Sequence, residues 1–241
     1  MKKLELNTLN KLYALILLCL IIATGWKIYN YHGSSRYYYA ASLTAPSTYP
    51  VYVQDAYFIL NGGMISSITR IQVNETSNMK WGDTDIGLSA NESERLPVAI
   101  VIRYASYRDR KFYADSIPLP AALIESIFKT SAQKGIARKR DSLSNENTPP
   151  LSFLIGLANK GNLVLWLQGK DYERKLLTCH LKTIQPQGNQ DYDNRSIPAA
   201  TYFEHFYLDK QIKEAIMKGA DQNANYADST THYLYDKHYD E

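Results

Sequence analysis

Cysteine is scarce in this sequence: Cys19 lies inside the one long apolar run, and Cys179 is the only other thiol in 241 residues. No intramolecular disulfide can then staple whatever follows the run, so stability there has to come from a packed core. An excess of one charge is lacking too. Of 27 basic and 24 acidic residues, four lysines (Lys2, Lys3, Lys11, Lys27) and Glu5 fall in the first 29, which leaves the rest formally neutral. A nucleic-acid binder needs a basic surface to displace counterions from phosphates, so that class is excluded. The motifs of common hydrolases are missing as well. None of His32, His180, His205, His232 and His238 forms HExxH, and there is no CxxC, no GxxxxGK[ST] and no GxSxG, the nearest approach being Gly87–Asn91, "GLSAN". Lone histidines in a strand (His180) or beside aromatics (His205) read as structural residues. His232 and His238, with Asp236 and Asp240 nearby, read as a solvated cluster, as do the acid pairs Asp83/Asp85 and Glu92/Glu94. No catalytic, cofactor-binding or metal residue is nominated. The sequons at Asn74, Asn91 and Asn194 matter only in a glycosylating secretory pathway.

What is present starts with fifteen uncharged residues between Lys11 and Lys27, "LYALILLCLIIATGW". As a helix they span about 22 Å, short of a bilayer core of roughly 30 Å, so the flanking lysines have to snorkel. Trp26, Tyr29 and Tyr31 are placed as an interfacial belt, and three lysines precede the span. That predicts an inner-membrane anchor with a cytoplasmic N-terminus and a periplasmic bulk. Two other readings remain. One is a signal peptide cleaved after Gly25; the other is lipidation at Cys19, which the bulky Leu18 before it disfavours.

The pattern divides the chain into a stub and anchor (1–29), a linker (30–49), one α+β domain (50–220) and a mobile polar tail (221–241). Residues 50–60 and 64–73 read as strands joined at Gly62 and Gly63, and 97–107 and 111–119 as a hairpin around Arg108-Asp109-Arg110. Pro120 starts a helix with Leu123, Ile124, Ile127 and Phe128 on its apolar face, and Gly135 stops it. Two apolar runs flank Asn159-Lys160-Gly161, where Asn and Gly suit the positive φ of a tight hairpin. A strand through Cys179, whose thiol reads as buried, precedes a helical segment with Phe203, Phe206, Tyr207, Ile212 and Ile216. The fold expectation is α+β, a largely antiparallel sheet with two packed helices behind one N-terminal transmembrane or signal helix. The basic run Lys134, Arg138, Lys139, Arg140 reads as a soluble face balanced by Asp141 and Glu146. Twenty tyrosines stand out, and the run Tyr37-Tyr38-Tyr39 or the tail is where interface use is sought.

Trp81; Tyr104, Ser106, Lys111, Phe112 and Tyr113; Leu119-Pro120; and Gly156, Gly161, Val164 and Trp166 occur in an order that resembles the bacterial family DUF2931, a domain of unknown function, over roughly residues 45–210. The resemblance implies an exported or lipoprotein-like envelope protein of no established activity. Some such proteins look like neighbours of type VI secretion phospholipase effectors, where an exported immunity protein would bind and block the toxin. Trp81, Phe112, Tyr113 and Trp166 are expected to serve folding. The functional expectation is a non-enzymatic, membrane-anchored periplasmic binder of a protein partner, such as a secreted effector toxin, with no cofactor. The alternatives are an envelope enzyme or a lipid- or glycan-binding protein, and a structural envelope protein.

Overall fold

Apolar runs, some alternating and some continuous, build the strands found between residues 36 and 184, and a computed structural model describes residues 7–29, 36–68, 71–73, 81–82, 87–88, 93–134, 151–169, 172–185, 201–205 and 208–226. The chain divides into two units, Met1–Ser35 and Arg36–Glu241. In the first, helix α1 (Thr8–Tyr29) is the one described helix long and apolar enough to cross a membrane. Its 22 residues run through both Lys11 and Lys27. At about 33 Å it is longer than the fifteen-residue core of the run suggests, and it matches a bilayer's hydrocarbon thickness.

The second unit runs β1 (Arg36–Tyr37), β2 (Tyr39–Thr44), β3 (Val51–Leu60), β4 (Ile65–Ser67), β5 (Ile71–Val73), β6 (Gly87–Leu88), β7 (Glu94–Arg95), β8 (Pro97–Ser106) and β9 (Lys111–Pro118). Then come α2 (Ala121–Gln133), β10 (Leu151–Ala158), β11 (Asn162–Gly169), β12 (Tyr172–His180), β13 (Thr183–Ile184), α3 (Tyr202–His205) and α4 (Lys210–Met217). They form a five-stranded sheet ordered β12-β11-β10-β2-β6 and a six-stranded sheet ordered β13-β9-β8-β3-β4, with β5 also on β3. A β1–β7 ribbon completes the set. All these pairs are antiparallel except β10 with β2. The α+β expectation therefore stands, with the strands shared between two sheets rather than one.

The inner faces of the two sheets share one core. Phe58 of β3 meets Phe153 of β10 at 5.2 Å between ring centroids, and Tyr39 and Phe128 of α2 pack edge-on and stacked against Phe153 at 5.4 and 6.0 Å. Helix α2 begins at Pro120 as read and buries Ile124, Ile127 and Phe128. Strands β10 and β11 are apolar at nearly every position because they are buried on both sides. Leu163, Leu165 and Leu167 join the inner core, whereas Val164 and Trp166 join a cluster on the outer face.

Several expectations are corrected. From Arg36 onward the stretch read as a linker is part of the fold: β2 is an interior strand, and Tyr37, Tyr39, Leu43, Ala45 and Tyr49 are core residues. Its serines and Pro46 mask the alternation Tyr39, Ala41, Leu43 that points inward. The tyrosine run is accordingly structural at Tyr37 and Tyr39. The return strand after Gly62-Gly63 is two short strands, β4 on Tyr57–Ile59 and β5 on Val51–Val53. In the 159–161 turn it is Lys160 and Gly161 that take positive φ, 62° and 78°, not Asn159. The second helix is divided, with Asp209 capping α4 by accepting from Gln211 N–H at 2.8 Å. Finally, the tail's first residues are docked, as described below. Gly135, Phe206 and Tyr207 lie outside the described residues, as do residues 227–241.

Candidate functional site

Three places gather side chains of chemical interest. The first is the end of the sandwich where turn 107–110 lies. Asp109 Oδ2 accepts from Tyr49 Oη at 2.5 Å, Tyr113 Oη at 2.9 Å and Lys160 N–H at 2.9 Å, and the Asp109 N–H donates to Ser106 Oγ at 3.1 Å. Burial pushes the phenols of Tyr49, Tyr104 and Tyr113 upward, and the Asp109 charge adds to this at all three. They remain protonated donors and are unsuited to act as bases or nucleophiles near neutral pH. Arg108 Nη1 donates to Thr48 O at 3.0 Å and Nη2 donates to Ala220 O. Thr48 Oγ1 donates to Asp221 Oδ2 at 2.8 Å, and Asn159 Nδ2 to Asp221 O at 2.9 Å. Residues 219–226 are thus strapped across this end, and the strap carries the Tyr226 ring to 5.4 Å from Trp81.

The second is the outer face of the five-stranded sheet, where Trp81 and Trp166 meet edge to face at 5.2 Å. Gly156 lies beneath both indoles; a Cβ there would come within 2.5 Å of Trp81 and 2.6 Å of Trp166. Trp81 Nε1, Ser42 Oγ and Gln168 Oε1 are buried without hydrogen-bond partners among the described residues.

The third is the outer face of the six-stranded sheet. Directly paired residues share a face, so the register reads as rows across it. Tyr52, Ala105, Phe112 and Ile184 form one row, covered by Tyr202 and Phe203 of α3 with Phe203 at 4.9 Å from Phe112. Beyond it come Asp55, Arg103 and Ala114; then Ser67, Tyr57, Val101 and Ser116; then Ile65, Ile59, Ala99 and Pro118. Tyr57, Ile59, Ala99 and Val101 are half-buried, and Ile65 is 63% exposed. Asp55 and Arg103 form a half-exposed ion pair at 3.6 Å. These rows are largely apolar, with one charged pair set among them.

Residues 29–223 match the family described as protein of unknown function (DUF2931). The chain belongs to the DUF2931 family. No curated protein and no solved structure matches it.

The motif residues of this DUF2931 chain serve its framework. Trp81, Gly156, Val164 and Trp166 form the outer cluster on the five-stranded sheet, Tyr104, Ser106, Tyr113 and Gly161 surround Asp109, and Leu119-Pro120 lead into α2. Trp81, Phe112, Tyr113 and Trp166 are all buried, as expected. Cys179 is half-buried, and burial, with help from Asp115, raises its thiol to about 11. His180 is exposed, its Nδ1 3.3 Å from Asn162 Oδ1, and Glu94 accepts from Tyr39 Oη at 3.0 Å. Lys134 ends α2, exposed. No group of three His, Cys, Asp or Glu suited to a metal occurs among the described residues. His32, His232, His238, Asp83, Asp85, Glu92, Arg138, Lys139, Arg140 and the three sequons lie outside them. The half-buried outer rows of the six-stranded sheet were missed by motif reading. Their signal is apolar residues at outward positions, Tyr57 and Ile59 in β3 and Ala99 and Val101 in β8, where a solvent-facing sheet carries polar ones.

Proposed function

We propose that this DUF2931 chain is a non-catalytic binding protein held at the inner membrane by α1, with the second unit in the periplasm, and that it takes a protein partner on the outer face of its six-stranded sheet. The observation that supports this is the set of rows through Tyr57, Ile59, Ala99 and Val101, an apolar sheet face with the Asp55–Arg103 pair inside it. An apolar sheet face spread over several strands suits a protein surface better than a small molecule, which needs a concave site. Tyr57 supplies a rigid aromatic anchor, and the ion pair supplies the polar contact that sets register. The partner we propose is an exported effector toxin that this chain blocks as an immunity protein.

The test uses the full chain in detergent as bait against envelope extracts, beside Val101→Arg, which places a charge in the middle of the face. Recovery of a secreted hydrolase by the parent chain, loss of its activity on mixing the purified pair, and no recovery by a Val101→Arg chain of unchanged melting temperature support the reading. Equal recovery by Val101→Arg moves the contact elsewhere on the molecule. A folded bait that recovers nothing favours the second reading, an envelope enzyme or a lipid- or glycan-binding protein. The buried, partnerless Ser42 Oγ, Trp81 Nε1 and Gln168 Oε1 are where that search would start.

A further inference from the structure

We infer that Arg103 is the recognition group on the outer face of the six-stranded sheet, and that it takes an acidic side chain set among apolar residues of a protein partner; this rests on the reading of that face as the docking surface. Strand β8 has β9 on one side and β3 on the other. In the row through Arg103 the neighbours are Asp55 on β3 and Ala114 on β9. The row on one side is Tyr52, Ala105 and Phe112 beneath Tyr202 and Phe203, and the row on the other is Tyr57 and Val101, flanked by Ser67 and Ser116. A permanent positive charge therefore stands in mainly apolar surroundings, its side chain 33% exposed.

Its tether is loose. Arg103 Nη1 and Asp55 Oδ2 are 3.6 Å apart, and neither side chain has another ion-pair or hydrogen-bond partner among the described residues. Charge-assisted N–H···O bonds close to about 2.7–2.9 Å, and a guanidinium squared up to a carboxylate makes two of them. Ala114, on the other side, has no polar atom to offer. The five N–H donors of the guanidinium thus have one distant acceptor between them.

A partner that docks over this face strips solvent from the guanidinium. A wholly apolar cover leaves its donors buried and unsatisfied, and that penalty selects against such a cover. A partner that brings a carboxylate satisfies them along the edge of the fork that Asp55 does not use. The choice of Arg103 over Asp55 follows from the same chemistry, because the planar fork is weakly hydrated and serves two carboxylates at once, and because Arg is enriched and Asp depleted in protein interfaces. Tyr57, Ile59 and Val101 nearby call for an apolar frame around the partner's acid.

The experiment selects binders from a random peptide library displayed on phage, against the full chain in detergent, and keeps those weakened by Tyr57→Ala, a change neutral in charge that marks the face. Each retained peptide is synthesised, and its affinity is measured for the parent chain, Arg103→Gln and Asp55→Asn. Every peptide is also made with its acid replaced by the amide. The expected result is that retained peptides share an Asp or Glu between apolar residues and bind Arg103→Gln about tenfold or more weakly. They lose as much when the acid becomes the amide, and they bind Asp55→Asn as well as or better than the parent, because a competing carboxylate is gone. The amide peptides require no change in the protein, so a poorly folded Arg103→Gln does not blunt the test. Retained peptides that share no acid, or whose acid is replaced without loss, overturn the proposal and leave the face as a docking surface. Binding that falls with Asp55→Asn but not with Arg103→Gln does the same. If no selected peptide responds to Tyr57→Ala, the proposal and the reading of the face fail together.

Discussion

At Gly156 the absence of a side chain is what lets two indoles close over the sheet. Adding a methyl there, as in Gly156→Ala, forces Trp81 or Trp166 to move, since the new carbon would fall within 2.6 Å of both rings. Overpacking of this kind costs about 1–3 kcal/mol. The opposite change, Trp166→Ala, empties the same cluster and costs about 3–5 kcal/mol. Urea unfolding is expected to show both losses, with the tryptophan change the larger; an unchanged midpoint for Gly156→Ala would show that the rings do not rest on the strand. Cys179 gives a prediction of a different kind. Its folded thiol titrates near 11, above an ordinary value of 9.0. Because the folded state holds the proton more tightly, the associated stability is fully present below pH 9 and is lost as pH rises towards 11. In a Cys19→Ser chain, alkylation of folded Cys179 is expected to stay slow until that window, while the urea-unfolded chain reacts at lower pH. Equal rates in the folded and unfolded chains near pH 9 would contradict the burial.

Among the elements, the strap of residues 219–226 is held by hydrogen bonds from Arg108, Thr48 and Asn159, of which the Arg108 bond is the charged one. Arg108 joins loop residue Thr48 to Ala220 by two charge-assisted hydrogen bonds. In Arg108→Ala the loss is expected to be about 1.5–3 kcal/mol, concentrated locally. Limited proteolysis should therefore cut between 219 and 226 sooner than in the parent chain, and amide exchange there should accelerate while β8 and β10 keep their protection. Uniform acceleration would mean that the strap and the sandwich open as one unit. This element was hidden from the sequence because Asp221, Asn223 and Asn225 carry no apolar period; what fixes the strap is hydrogen bonding between residues far apart in the chain. The long strands were legible for the opposite reason. Hairpins β8–β9 and β10–β11 are local, alternating and closed by turn residues, and helix α2 follows its proline and its Ile124, Ile127, Phe128 spacing. Strand β2 was not, because its partners β10 and β6 are distant and its pairing with β10 is parallel. In β3, read only as one strand, the inward set changes phase: Val51 and Val53 point inward, then Ala56, Phe58 and Leu60, with the bulge at Gln54 between them.

For the whole molecule, the core clusters draw every member from residues 37–226 and none from α1. The two sheets bury their shared face against each other, α2 covers one edge of it with Phe128, and α3 and the Trp81 cluster cover parts of the outer faces. Such a unit carries its own folding free energy, in the way expected of a domain of this size. A chain that begins at residue 30 is therefore expected to fold, and to unfold in urea at the same midpoint as the full chain in detergent, while leaving the membrane fraction. A spanning helix holds a chain in the membrane effectively irreversibly. Sedimentation with vesicles checks this: the full chain should pellet at low and high salt, and the shortened chain should stay in the supernatant. A shortened chain that aggregates, or that melts well below the full chain, would show that α1 belongs to the fold as well as to the membrane.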